Sequence, residues 1–362
     1  MIGKVLAFIS RKKQVFKEFL EYQNYMNPGI YQWDNTLRFI MKTNPNAERG
    51  TYPTFYNYYG KKERFLLWLA RHTFFRDKIV VNGNGAVKTH FVGEVYRPFR
   101  STNNYRDKKL FNFAEGKVLS IFSRDIDYRR TLDIHKKFQI FFPMPKILWK
   151  NQQNREICEE LVEFVPIEMW TEDDYEFVMN DMLTRSLRYL QKESKRKLRD
   201  VTPRMTFLAL ENKQEIRFIY KMVTPHLLRE SHPCIELHGD LWRSNTFLIK
   251  DRNLRKVVYI DWEFSEELPF FYDFFTFIWL DGYVNQEDFY FKRYLAGEYD
   301  SELQKMYSFF GLTYNPAYRI DYFHIYFLYF YSYRLFDLPK YERMSFIKRY
   351  KQFVEMAISG ND

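Results

Sequence analysis

Between Ile235 and Phe275 the chain carries the residue types that move a phosphoryl group. The segment reads IELHGDLWRSNTFLI, then seven mostly charged residues, then VVYIDWEFSEELPFFYDFF. It holds a carboxylate at Asp240, an amide five residues later at Asn245, and a second carboxylate, Asp261, at the end of an apolar run. Transfer of the γ-phosphoryl of ATP to a hydroxyl asks for a carboxylate that orients the hydroxyl and for oxygen ligands that hold magnesium on the phosphates. Beyond that the protein mostly positions the reactants. Asp240 suits the first task, and Asn245 and Asp261 suit the second. Singly, each is an ordinary turn residue at a strand end. The full set, in this order and across predicted strand edges, is much harder to reach by chance. His238 reads differently, as a structural histidine bonded within the loop rather than as a base.

With Pro269 and Asp273 added, the stretches HGDLWRSN and IDWEF resemble the aminoglycoside phosphotransferase and choline kinase superfamily, whose members share the protein-kinase fold. The resemblance implies an α+β, two-lobed, protein-kinase-like architecture: a small β-rich N-lobe and a larger helical C-lobe. It further implies that Asp240 is the catalytic base, that Asn245 and Asp261 ligate Mg²⁺, and that Asp273 braces the catalytic loop. The triplet HGD in place of HRD favours a small-molecule or glycan acceptor over a protein one.

The elements that must position these residues can be followed along the chain. Residues 1–78 look like a helical N-terminal extension. Val5, Phe8 and Ile9, then Phe16, Phe19 and Leu20, recur at helical spacing, and Pro28-Gly29 interrupts the pattern. A second helical stretch runs from Lys61 to Phe75. Residues 79–166 read as the N-lobe, with strands in KIVV, THFVGEVYRPF, KKLFNFA and KVLSIFS, a helix over about 126–139, then strands in PMPKILW and EICEELVEFV. Glu163, Phe164 and Val165 fall at the hinge, whose backbone groups bond the adenine in the resembling families. Residues 167–362 read as the C-lobe, helical before the catalytic loop and again after Asp273.

The N-lobe is where the pattern thins. Alignment of KVLSIF with the strand that should carry a phosphate-binding Lys or Arg puts Ser120 at that position, with Asp127 nearest the expected helix Glu. Lys117 is the cation closest in sequence, three residues away and on the opposite strand face. Arg97 is a candidate under another strand assignment. For the phosphate loop, Asn82-Gly83-Asn84-Gly85 offers glycines but also reads as a hairpin turn, and Arg100 to Asp107 fits the expected position better.

The 37 Phe and 29 Tyr give ample material for a core. Cys158 and Cys234 have no metal-ligand spacing, which fits a reducing cytoplasm. No run of 18 apolar residues exists, so a membrane-spanning helix is not expected. The net charge of +10 is uneven: residues 251–362 hold 13 Lys and Arg against 17 Asp and Glu, so the basic excess lies in front. A basic front suits phosphate, a phosphorylated glycan or peripheral contact with an anionic membrane surface, besides being an ordinary solvated face. Nucleic acid is not indicated, because no recognised binding motif accompanies the charge. The acceptor is expected to be a sugar or cell-surface glycan precursor first. A choline- or aminoglycoside-like amine is second, with Asp281, Glu287, Asp288, Trp279, Tyr322, Tyr326 and Tyr329 available to hold it. The rival class is a pseudokinase or nucleotide-sensing scaffold, which the missing Lys–Glu pair at Ser120 and Asp127 would suit.

Overall fold

A computed structural model describes residues 2–34, 37–43, 61–82, 91–98, 107–210, 213–251 and 254–359. The chain divides into two units, one formed by residues 1–137, 143–170 and 248–258, the other by 138–142, 171–247 and 259–362.

The first unit is built on an eight-stranded antiparallel sheet in the order β3-β1-β2-β4-β5-β6-β8-β7. Its strands are β1 (Gly29–Trp33), β2 (Ile40–Lys42), β3 (Ile79–Val81), β4 (Val95–Pro98), β5 (Lys108–Asn112), β6 (Lys117–Ile121), β7 (Ile147–Asn151) and β8 (Glu156–Glu160). Helix α3 (Asp125–Phe138) follows β6, as expected of the single helix inserted in a kinase-like sheet. Helices α1 (Ile2–Phe19) and α2 (Lys61–Thr73) supply the apolar stripes predicted for residues 1–78. Phe8, Ile9, Phe16 and Phe19 of α1, with Leu67 and Ala70 of α2, pack on Tyr31, Trp33, Tyr96, Leu110, Leu119 and Cys158. A smaller cluster, Phe39, Val95 and Phe111 with Met41 and Val118, is set by the strand register on the other face.

One expectation fails here. The stretch 1–78 is not helical throughout, because β1 and β2 lie inside it and widen the sheet beyond β4. The sequence GIYQW alternates, with Tyr31 and Trp33 buried and Ile30 outward, which is the period of a strand with one covered face.

The second unit is mainly helical. Helix α4 (Glu172–Glu193) opens on Asp174, whose Oδ2 accepts from the N–H and hydroxyl of Thr171, each at 2.9 Å. Its inner face buries Val178, Met182, Leu183 and Leu190, the spacing of an amphipathic helix. The basic run that ends α4 faces solvent at Lys192, Lys195, Arg196 and Lys197. A three-stranded sheet joins β9 (Arg199–Val201), β10 (His232–Leu237) and β13 (Glu266–Pro269), with β10 central. Helices α5 (Pro203–Ala209) and α6 (Arg217–Met222) precede β10 in the chain; β11 (Thr246–Asp251) and β12 (Leu254–Tyr259) form a two-stranded sheet, most of which, residues 248–258, belongs to the first unit. Helices α7 (Tyr272–Leu280), α8 (Phe289–Leu295), α9 (Asp300–Ser308), α10 (Arg319–Phe330) and α11 (Lys340–Ser359) complete the chain. All nine residues of α7 are buried, and Trp279 alone meets Phe323, Phe327, Phe330, Tyr350 and Phe353. No helix of the described residues is long and apolar enough to cross a membrane.

Candidate active site

The loop 238–245 leaves the end of β10, and Asp273 near the start of α7 holds its first turn. The two Asp273 carboxylate oxygens accept the backbone N–H groups of His238 and Gly239, each at 2.9 Å. This is the bracing predicted for Asp273. Burial raises Asp273 to about 6, against the pull of those two donors. His238 is fully enclosed, with Nε2 bonded to the Ile260 carbonyl at 2.9 Å and its ring 4.5 Å from that of Trp262. Burial holds it down at about 4, so it is neutral near pH 7 and structural, as the sequence suggested.

The peptide at Gly239 has φ +78°, and a Cβ there would meet Arg334 Nη2 and the Phe264 carbonyl at 2.4 Å each. Glycine is therefore required on two counts, a left-handed backbone and the close approach of two partners. Arg334 donates through Nη2 to the carbonyls of Gly239 at 3.0 Å and Phe264 at 3.2 Å, and pairs through Nη1 with Glu266 at 2.8 Å. It ties the loop before Asp240 to the segment after Asp261. Sequence reasoning did not assign it a task. Its signal was a lone arginine in the aromatic run YFHIYFLYFYSYRLF, since an enclosed cation needs carbonyl or carboxylate partners.

Asp240 and Asn245 meet directly. The Asn245 Nδ2 donates to the Asp240 carbonyl at 2.7 Å and to its Oδ2 at 3.1 Å. Asn245 is fixed in turn by its own carbonyl, which accepts from Ile260 N–H at 3.0 Å, one residue before Asp261. Asp261 adopts the left-handed conformation, φ 65° and ψ 50°, at the start of a short 3₁₀ turn. A non-glycine residue in that region costs free energy and is held there by its surroundings, a common mark of a working position. Asp240 is raised to about 7, first by burial and then by the negative charge of Asp261, with Arg334 and the Asn245 amide opposing. The structure thus gathers the three residues singled out by sequence within one unit. Among the described residues no three His, Cys, Asp or Glu side chains converge as a metal cage. The Asn245 amide and the Asp261 carboxylate are hard oxygen donors suited to magnesium whose remaining ligands come from phosphates and water.

Arg243, inside the same loop, is held by partners of its own. It does not bridge to Asp273. Instead its Nε pairs with Asp281 at 2.7 Å and its Nη1 donates to Tyr175 Oη and Glu287, each at 2.7 Å. Both Arg243 and Asp281 are 1% exposed. Asp281 is therefore a buried partner of the loop arginine and not an acceptor carboxylate, and Asp288 pairs with Lys292 at 3.0 Å. Trp279, Tyr322, Tyr326 and Tyr329 are likewise wholly enclosed, so they are core and line no acceptor surface.

In the first unit, the Val165 N–H donates to the Leu248 carbonyl at 2.8 Å and the Val165 carbonyl accepts from Trp170 Nε1 at 3.0 Å. That N–H is committed within the protein, so the hinge expectation for Val165 does not hold, while Glu163 and Phe164 lie in the irregular segment after β8. Lys117 is also misplaced for phosphates. It shares the α1-covered face with Leu119 and pairs with Glu115 at 2.6 Å, because the register of β6 keeps it opposite Ser120. Asp127 pairs with Arg124 at 2.5 Å rather than with a strand lysine. The phosphate-loop candidates Gly83 to Gly85 and Arg100 to Arg106 lie outside the described residues.

No family model and no curated protein matches the chain. Among solved structures it is similar to an aminoglycoside phosphotransferase, at 12% identity over 73% of this chain and 93% of that one, with a TM-score of 0.46. A choline kinase from Streptococcus pneumoniae matches at 13% identity over 73% and 93%, TM-score 0.38. A Plasmodium vivax ethanolamine kinase matches at 12% identity over 72% and 81%, TM-score 0.32. The TM-scores are low, so the chemistry of the site is read from its own geometry.

Proposed function

We propose that the chain is an ATP- and Mg²⁺-dependent phosphotransferase that moves the γ-phosphoryl group to a hydroxyl of a small molecule or glycan. The observation that carries this reading is the contact of Asn245 with both the carbonyl and the carboxylate of Asp240, in a loop braced by Asp273 and tied through Ile260 to Asp261. In the reaction the acceptor oxygen bonds to the γ-phosphorus while the bond from that phosphorus to the β–γ bridging oxygen breaks, and ADP leaves. Asp240 orients the hydroxyl and takes its proton. A carboxyl group raised to about 7 lies near the pH at which a general base works best. Asn245 and Asp261 hold magnesium, which when bound offsets the negative charge that moves onto the leaving phosphate oxygens. Adenine is held by the main chain of Glu163 and Phe164, the hinge positions left once the Val165 N–H is committed.

For the acceptor, a sugar or glycan precursor stands first. Of the acids and aromatics that motivated an amine, Asp281 and Glu287 pair with Arg243, Asp288 pairs with Lys292, and the aromatics lie in the core. The pseudokinase reading keeps one observation in its favour, a serine at position 120. The test is Asp240→Asn, for which turnover should fall by at least about 10³-fold while ATP affinity stays within about twofold. Full turnover in that variant would remove Asp240 from the mechanism.

A further inference from the structure

The strand expected to carry the phosphate-binding cation has Ser120 at that position, yet the register brings two cations beside it. Ser120 on β6 stands directly opposite Lys109 on β5, and Lys109 stands directly opposite Arg97 on β4. Residues directly opposite in an antiparallel pair project from the same face, with Cβ atoms about 4.5–5.5 Å apart. Arg97, Lys109 and Ser120 therefore form one row across three neighbouring strands.

The face is fixed by its neighbours. Two residues along each strand, Val95, Phe111 and Val118 occupy the same face and pack with Phe39 and Met41. The guanidinium of Arg97 lies 5.8 Å over the Phe39 ring. Helices α1 and α2 cover the opposite face, over Tyr96, Leu110 and Leu119. The other two lysines of β5 and β6 belong to that covered face. Lys108 is 2% exposed with its Nζ 5.3 Å over Tyr22, and Lys117 is paired with Glu115. Lys109 alone of the three shares a face with Ser120. Ser120, at the end of the row beside Lys109, is itself short and carries no charge.

We propose that Lys109, flanked by Arg97, supplies the cation for the nucleotide phosphates that the strand of Ser120 does not. The charge has moved one strand sideways in the same row. The four-carbon stem of a lysine spans the separation between neighbouring strands, so the ammonium reaches the place that a lysine at position 120 would fill. Asp127 is held by Arg124, so Lys109 works without a helix carboxylate of the expected kind. The inference rests on the kinase reading above and removes the main support for the pseudokinase alternative.

The experiment is calorimetric titration of the full chain with Mg·ATP and, separately, with adenosine. Lys109→Met should weaken Mg·ATP by about tenfold or more, since it removes a charge-assisted contact, and leave adenosine within about twofold. Lys117→Met should bind both as the wild type does. Ser120→Lys added to Lys109→Met should restore most of the Mg·ATP affinity, because it returns the charge to the same row. Lys109→Gln serves where Lys109→Met does not fold. Undiminished Mg·ATP affinity in the position-109 variants, or a loss confined to Lys117→Met, would overturn the assignment while leaving the kinase reading intact. A wild-type protein that does not bind Mg·ATP would overturn both.

Discussion

Arg243 lies inside the catalytic loop, and its substitution separates a structural task from a contact with the transferring phosphate. Arg243 is 1% exposed, and so is Asp281, its partner at 2.7 Å. In Arg243→Met the guanidinium disappears and Asp281 keeps only the Asn285 amide at 2.9 Å. Breaking one side of a buried ion pair costs about 3–5 kcal/mol. The stranded carboxyl, which burial raises to about 6 even beside Arg243, can escape by taking a proton, and that escape keeps the cost at the low end of this range. The expected loss is therefore about 3–4 kcal/mol, a large share of the roughly 5–15 kcal/mol that a domain has to spare. In urea unfolding at pH 7 this shifts the transition of the second unit down by about 1–2 M. Arg243→Met/Asp281→Leu removes both charges and should recover much of that loss, whereas independent sites would add. A loss below about 1 kcal/mol in Arg243→Met, or an additive double variant, would refute the reasoning. A variant of unchanged stability with slowed turnover would return Arg243 to the phosphate.

Two other predictions come from the same region. Gly239→Ala forces a left-handed alanine against Arg334 and the Phe264 carbonyl, so activity should fall about 100-fold or more and stability by about 1–3 kcal/mol; wild-type turnover would mean the loop has another conformation in solution. His232 is wholly buried and bonded to Tyr329 at 2.9 Å, and burial alone lowers it from 6.5 to about 3. Between those values the unfolded chain takes a proton that the folded chain refuses, so stability falls as pH drops below 6.5, by about 2 kcal/mol at pH 5. Urea midpoints of wild type and His232→Gln at pH 7.5 and pH 5 check this. The variant should lack that part of the pH slope, and equal slopes would contradict the buried neutral imidazole.

The segment proposed to be catalytic could be singled out because its residues are local in sequence. Asp240, Asn245, Asp261 and Asp273 lie within 34 residues, and strand-edge signals flank them. The order of strands and the helix α3 followed from periodicity for the same reason. Long-range partners were hidden. That Asp281 would neutralise Arg243 depends on the packing of α7, and an acid in an acidic stretch looks solvated until burial is known. Trp279 and the tyrosines of α10 looked available for a ligand, because composition does not distinguish a core aromatic from a lining one. The strands β1 and β2 were missed because Pro28-Gly29 was read as a break between helices, although the alternation in GIYQW was there to be seen. The lysine row was invisible for a simpler reason. Ser120 and Lys109 are 11 residues apart in sequence, and only the register makes them neighbours.

The proposed activity depends on magnesium-dependent nucleotide binding through Asn245 and Asp261. The most direct test is a thermal-shift titration of wild type and Asp261→Ala with ATP, with and without Mg²⁺, since a ligand that binds only the folded state raises Tm with its concentration. The predicted result is a rise in wild type that grows with Mg²⁺ and a loss of the magnesium-dependent part in Asp261→Ala. A wild-type Tm indifferent to ATP at every Mg²⁺ concentration, or an Asp261→Ala response equal to that of wild type, would contradict it.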